Sequence, residues 1–217
     1  NQLGFISPRT GLATWSVGDE TPQRLVDGGD IYWNGDFSQD GSSIITIRGN
    51  AVERWSLDSL TLEQSVVVNP NLGYYGLQDM IYSEDGSLLI VIDGMGTLYI
   101  LDAVSFETIA TITHDYDVNK IALSSDNRFL ATFSWNFQNN EAHPTVYLWD
   151  LETMIAQDSA SIGDQIVTIN IPVREEMNWQ IYGIAFSPDG NTLALVDGVV
   201  QLWHVPTLLE ESTVNTD

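Results

Sequence analysis

The sequence predicts an all-β chain of repeated four-stranded antiparallel sheets, on three observations. Four Asp-Gly-type turns recur along it, apolar strands align before each turn, and apolar strands align after it. The turns are Ser38-Gln39-Asp40-Gly41, Ser83-Glu84-Asp85-Gly86, Ser125-Asp126-Asn127 and Ser187-Pro188-Asp189-Gly190. Asp-Gly or Asp-Asn between apolar runs is a hairpin signal, because Gly and Asn tolerate the positive φ that the turn requires.

Each element follows from its offset to the turn. Nine residues before the last turn residue stand Tyr32, Leu77, Val118 and Ile181; six before it stand Gly35, Met80, Ile121 and Ile184; four before it stand Phe37, Tyr82, Leu123 and Phe186. Positions six and four back share one face of a strand with period two, and only Gly35 leaves that face empty. After the turn come Ile44-Ile45, Leu89-Ile90, Leu130-Ala131 and Leu193-Ala194, a second strand apolar on both faces. That composition suits a strand sandwiched between neighbouring sheets.

A second turn follows at Gly49-Asn50, at Gly94-Met95-Gly96, in a longer loop over Asn136–Pro144, and at Asp197-Gly198. Third strands are then expected at Val52–Trp55, Leu98–Leu101, Val146–Trp149 and Val200–Trp203. Outer strands are expected at Leu62–Val68, Thr108–Thr113 and Ile166–Ile171, and Leu208-Leu209-Glu210-Glu211 is a further outer-strand candidate. Turn-to-turn spacings are 45, 41 and 63 residues, the last stretched by insertions at Asn136–Pro144 and Leu151–Ser161. Four short strands in a period of roughly 40–45 residues make a β-propeller blade.

The residues also carry a family resemblance. Ser187-Pro188-Asp189-Gly190, Leu193-Ala194 and Leu202-Trp203, together with Leu148-Trp149-Asp150, resemble the repeat of WD-repeat β-propellers. The resemblance runs from about residue 3 to 210, and it bears on fold more than on function, since the fold hosts unrelated activities. Only one of the four third strands ends in Trp-Asp, and no Gly-His pair precedes an inner strand. The family's Asp–His–Ser/Thr–Trp network is therefore expected to be incomplete. His114 lacks an Asp in the next hairpin, where Trp135-Asn136 stand, so apolar packing is expected to hold the blades.

Leu12–Ser16 aligns with a third strand, Leu3–Ser7 with a second and Arg24-Leu25-Val26 with an outer one. The expected organisation is one propeller region over 1–217, with a partial blade at 1–30 and blades at about 31–70, 77–114, 118–172 and 181–212. Such a set is expected to be part of a larger ring of about six to eight blades, the alternative being a compact five-bladed ring with one irregular blade.

Composition sets the limits. With 43% hydrophobic residues the chain can bury a core, and it has no Cys for disulfides or thiolate metal sites. Thirty acids against seven bases give a net charge of −23, which disfavours nucleic acid and anionic lipid, and no apolar run is long enough for membrane insertion. The acidity favours a basic protein partner. Remaining propeller blades or other subunits of a complex are further expected partners. Scarce Lys and the absence of Cys tilt the expected location toward secreted or cell-surface over cytoplasmic.

The candidate site is the rim formed by the loops entering the inner strands. Its binding residues are Trp33, Tyr74, Tyr75, Tyr116, Trp135, Phe137, Trp179 and Tyr182, aromatics of the kind that anchor interfaces. The competing reading is that several, Tyr32 above all, pack between blades. Asp27, Asp30, Asp115, Asp117, Glu175 and Glu176 make the rim acidic as well, suiting a basic segment, a cation or a sugar. No Gly-x-Ser-x-Gly elbow, phosphate loop or His-Glu-x-x-His motif is present. His114, His143 and His204 are read as isolated surface or rim residues. A channel-sited hydrolase would have to use Asp36, Asp79 and Asn119, whose offsets differ. The expected function is a non-catalytic interaction or assembly scaffold without cofactor or metal, the alternative a carbohydrate- or cation-binding module at the cell surface.

Overall fold

A computed structural model describes residues 2–7, 11–16, 18, 20–21, 23–27, 32–59, 61–72, 76–138, 141–161, 164–171, 182–197 and 199–214. Among these residues five sheets follow one another along the chain, each an up-and-down antiparallel meander, the third extended at its outer edge by one short parallel strand. The first contains β1 (Gln2–Ser7), β2 (Gly11–Ser16) and β3 (Gln23–Asp27). The second contains β4 (Tyr32–Phe37), β5 (Ser43–Arg48), β6 (Ala51–Ser56) and β7 (Leu62–Val67). The third contains β8 (Leu77–Tyr82), β9 (Leu88–Asp93), β10 (Thr97–Asp102) and β11 (Thr108–Thr113). The fourth is built from β12 (Val118–Leu123), β13 (Phe129–Gln138) and β14 (Glu141–Asp150), then, after α1 (Leu151–Gln157) and β15 (Ser159–Ser161), β16 (Val167–Asn170). The fifth holds β17 (Gly183–Phe186), β18 (Thr192–Val196) and β19 (Val200–His204), and α2 (Val205–Val214) follows it. The innermost strands β1, β4, β8, β12 and β17 are neighbours in that order, as in the blades of a propeller.

The second strands do what their two-sided apolarity requires. In β9, Leu89 and Val91 pack with Ile45, Ile47 and Val52 of the preceding sheet. Ile90 and Ile92 pack with Val118, Leu130 and Trp149 of the following one. A third cluster joins Phe133, Val146 and Leu148 to Leu193 and Leu195. Met80 and Tyr82, Ile121 and Leu123, and Ile184 and Phe186 face these clusters, as the offsets six and four back require.

The turns are alike in detail. Gly41, Gly86, Asn127 and Gly190 all have φ between 58° and 70°. Ser38, Ser83, Ser124 and Ser187 each donate a hydroxyl to the turn Asp, whose carboxylate also accepts a main-chain N–H two residues on. These bonds hold the Asp40 carboxyl at about 2, below the ordinary 3.8. Successive turns are also tied to one another: Gln39 donates to the Glu84 carbonyl at 3.0 Å, the Glu84 N–H to Asn127 at 2.8 Å, and Ser125 to the Pro188 carbonyl at 2.7 Å.

Three expectations need correction. Asn136–Pro144 is not a long loop, because β13 and β14 stay paired out to Gln138↔Glu141, so the insertion lengthens two strands. Leu208–Glu211 is helical. Val205, Leu208 and Leu209, spaced i, i+3 and i+4, all pack on the third cluster, and Pro206 sits in the first turn, where its missing N–H costs nothing. Leu151–Ser161 forms α1, capped by Asp150 accepting the Thr153 N–H at 3.0 Å, and β15, which pairs in parallel with β11 of the preceding sheet.

Candidate functional site

The inner strands share an irregularity that shapes the rim. The β4–β5, β8–β9 and β12–β13 ladders each slip by one residue, between Tyr32 and Asn34, Leu77 and Asp79, and Val118 and Lys120. A bulge at one level of three successive strands re-aims the side chains after it. It brings Asn34, Asp79 and Lys120 to equivalent positions seven residues before the turn. Asn34 donates its amide to Asp79 across the two sheets. Asp79 also accepts the Met80 N–H at 2.9 Å, so its carboxylate is engaged in holding adjacent strands together. Asp36, by contrast, is exposed, and the side chain of Asn119 lies outside the described residues.

Above this level the loop between β11 and β12 is anchored by His114. This histidine is buried, which corrects its reading as an isolated rim residue. Its Nδ1 lies 3.2 Å from the Gly96 carbonyl and so carries the proton, leaving Nε2 to accept from Thr132 Oγ1 at 2.8 Å. Trp149 Nε1 donates to the same Thr132 oxygen at 3.0 Å. The result is a directed chain: Trp149 N–H to Thr132 O–H to His114, and His114 N–H to Gly96. A main-chain carbonyl receives the proton for which the sequence offered no Asp, so the network is more complete than the motif count implied. The Trp149 and Tyr147 rings meet the imidazole edge-on at 5.2 and 5.6 Å. Burial pushes the His114 pKa down to about 4 from 6.5, with the Gly96 bond opposing.

The other sheets carry variants of this arrangement. In the third, Asn69 donates to the Tyr99 hydroxyl at 2.7 Å, which donates to Asp93 at 3.0 Å. In the second, Thr46 pairs with Glu53 and Ile44 with Trp55, the register of Thr132 with Tyr147 and Leu130 with Trp149. There Glu53, fully buried, receives Arg48 on Oε1, while Thr46 Oγ1, Glu53 Oε2 and Trp55 Nε1 are buried without a hydrogen-bond partner.

The predicted rim residues divide as follows. Tyr116 is half-buried, between exposed Asp115 and Asp117, and its carbonyl lies 2.4 Å from where a Gly96 Cβ would stand. The loop therefore lies directly on the β9–β10 turn, and it is fixed on its other side by Ser134 donating to the Asp117 carbonyl at 3.0 Å. Met95 in that turn is 57% exposed. Sequence reasoning missed it, although the tip of a Gly-Met-Gly turn is an apolar residue with nowhere to bury. Trp135 is half-buried, edge-on to Phe133 at 5.5 Å, so part of its ring serves the core. Tyr182, just before β17, is 62% exposed. Tyr74, Tyr75 and Trp179, and the side chains of Tyr32, Trp33 and Phe137, lie outside the described residues, as do the acids Asp30, Glu175 and Glu176 and the side chain of Asp27.

The opposite face carries an open cleft of about 440 Å³ between the first two turns, lined by Asp40, Arg54, Glu63 and Tyr82 among others. Its one cation is occupied: Arg54 donates to Gln64 and to the Ala103 and Val104 carbonyls, and stacks over Phe106 at 4.7 Å. Among the described residues no group of three or more His, Asp or Glu could hold a metal ion.

Successive antiparallel meanders packed face to face, one seam of them held by a His–Thr–Trp chain, define blades of a β-propeller. Residues 106–150 and 174–204 match the family described as WD domain, G-beta repeat. At these two segments the chain is similar to WD repeats. Among solved structures it is similar to a chain of the "Crystal Structure of Mitotic Checkpoint Complex", with a TM-score of 0.68 and 18% identity. The match covers 96% of this chain and 58% of that one, and at this identity what is shared is the fold. No curated protein matches the sequence.

Proposed function

We propose that this chain is a non-catalytic interaction scaffold that receives a basic protein segment on the rim of its inner-strand loops. The observation that carries this reading is the rim itself. Tyr116, Met95 and Tyr182 offer apolar area on loops tied to a rigid scaffold, and Asp115 and Asp117 stand exposed beside them. Aromatic side chains on ordered backbones bind at low entropic cost, Met adapts its shape to the partner, and the acids select cationic partners. The similarity to a chain that belongs to a checkpoint complex supports an assembly role for this fold.

The test uses a panel of Arg/Lys-rich and Asp/Glu-rich peptides binding to the immobilised chain and to Tyr182→Ala and Asp115→Asn/Asp117→Asn variants. Binding of the basic peptides alone, weakened at least tenfold in both variants and falling with salt, is the expected result. Equal binding of both panels, or binding indifferent to the rim variants, overturns the reading. Selective retention of uncharged glycans would favour a carbohydrate-binding module instead.

A further inference from the structure

Two of the apolar seams between successive sheets are closed along their outer flank by a segment that follows the later sheet's third strand. Leu151, Met154 and Ala160 of α1 and β15 close the seam between the third and fourth sheets. Val205, Leu208 and Leu209 of α2 close the seam between the fourth and fifth. The seam between the second and third sheets has no such cover among the described residues. The chain leaves β10 much as it leaves β14, with an Asp accepting main-chain N–H groups of the next turn: Asp102 from Val104 and Ser105, Asp150 from Thr153. Ala103 and Phe106 are then buried as Leu151 and Met154 are. There the likeness stops, because Phe106 takes a left-handed φ of 61° and the chain turns straight into β11.

The outer strands record the difference. Ser65, Val66 and Val67 of β7 hold the register of Thr111, Ile112 and Thr113 of β11, opposite Glu53, Val52 and Ala51 in one sheet and Tyr99, Leu98 and Thr97 in the other. Ile112 is fully buried and Thr111 half-buried, whereas Val66 is only half-buried and Ser65 is exposed. Strand β11 has β15 paired along it, but β7 ends its sheet. Val68 donates its N–H inward to the Asn50 carbonyl at 2.9 Å, so the alternation of an antiparallel ladder turns the Ser65 and Val67 N–H groups outward. The equivalent Thr111 N–H is taken by the Asp158 carbonyl. The edge of β7 contains neither Lys nor Pro, the residues that commonly block added strands. At its N-terminal end Glu63 lines the open cleft of about 440 Å³, together with Asp40 and the exposed Val104.

We propose that the outer edge of β7 receives an extended segment of a basic partner chain, paired in parallel as β15 pairs on β11. A small apolar residue of that segment lies over Val66, and a basic residue preceding it enters the cleft beside Glu63 and Asp40. The geometry has its precedent within the molecule, since Ser159-Ala160-Ser161 already occupies the equivalent edge of the next sheet. The charge follows from the cleft. Arg54 is engaged by Gln64 and by the Ala103 and Val104 carbonyls, and Glu63 makes no ion pair among the described residues. A second copy of this chain suits the edge badly, because it would bring a net charge of −23 and its own Glu63 against the first. The β7 edge is separate from the rim loops, and its test does not depend on theirs.

The probe is the capped peptide Lys-Lys-Ser-Val-Ser-Thr, titrated into the nitrogen-15-labelled chain and followed by amide shifts. The expected result is saturable binding that moves the Ser65 and Val67 signals and weakens with salt. Methylating the backbone nitrogen of the peptide's Val should weaken binding at least tenfold, and Ser65→Pro, which deletes an outward N–H, should do the same. If Ser65→Pro does not fold, the methylated peptide on the wild type tests the same pairing. Glu63→Arg should weaken binding at least threefold with an unchanged urea midpoint, while Tyr182→Ala on the rim should leave it intact. No binding at about 1 mM overturns the proposal. So does equal binding of the methylated peptide or of a Glu-Glu counterpart, or shifts confined to the rim. Dimers of the chain alone, joined through β7, overturn the choice of occupant.

Discussion

Replacing Thr132 with Val tests whether the His114–Thr132–Trp149 chain holds its sheets together by hydrogen bonding or only by packing. Val is nearly isosteric with Thr, so the substitution removes one hydroxyl from a fully buried position and opens no cavity. That hydroxyl serves two neighbours, accepting from Trp149 Nε1 at 3.0 Å and donating to His114 Nε2 at 2.8 Å. A buried polar group stripped of its partner costs about 1–3 kcal/mol, so two give roughly 2–6 kcal/mol. Thr132→Ser keeps the hydroxyl and loses a methyl, and should cost about 1 kcal/mol. Thr46→Val supplies the internal control. Thr46 holds the same register and is equally buried, but its hydroxyl has no partner, so its loss should be neutral or slightly stabilising. Urea unfolding followed by circular dichroism and tryptophan emission measures all three. If Thr132→Val costs no more than Thr132→Ser, or no more than Thr46→Val, the reasoning fails.

Other expectations rest on separate features. The His114 pKa is depressed in the folded chain, so the unfolded chain binds the extra proton first: stability is complete above pH 6.5 and falls as pH drops toward 4. The loss approaches about 3 kcal/mol, and the difference in urea stability between wild type and His114→Gln across that window isolates it from the other acids. Gly96→Ala forces a Cβ to within 2.4 Å of the Tyr116 carbonyl at φ +89°, and should cost at least about 2 kcal/mol in thermal or urea melts. Arg54→Met removes bonds to Gln64 and the Ala103 and Val104 carbonyls that join two sheets, and should cost about 1.5–3 kcal/mol by the same measurement.

How much of this was legible in the sequence depends on the range of the interaction concerned. Turns and second strands were legible because Asp85-Gly86 and Leu89-Ile90 are determined locally, by backbone sterics and by two-sided burial. The network around His114 was not, because a main-chain carbonyl leaves no trace in a motif, and Gly96 stands 18 residues away. Helix α2 was read as strand because a four-residue window cannot separate Leu-Leu-Glu-Glu in a strand from one turn of a helix. Only the spacing of Val205 to Leu208 and Leu209 shows it. The rim was legible as a loop cluster, but the share of Trp135 taken by the core emerged only from its contact with Phe133.

The path of α1 and β15 has a consequence for how the array comes apart. In a stack of repeats, stability is usually a sum of terms for each unit and for each seam, so the weakest seam opens first. The seam between the third and fourth sheets is reinforced from within the chain. After completing β14, the polypeptide crosses back through α1, buries Leu151, Met154 and Ala160 in the earlier cluster, and adds β15 to the edge of β11. The Thr111 N–H bonds to the Asp158 carbonyl at 3.1 Å, so this seam carries main-chain bonds as well as side-chain contact. The two sheets should therefore open together as one unit of some ninety residues, and native-state hydrogen exchange is expected to protect their amides longer than those of the flanking sheets.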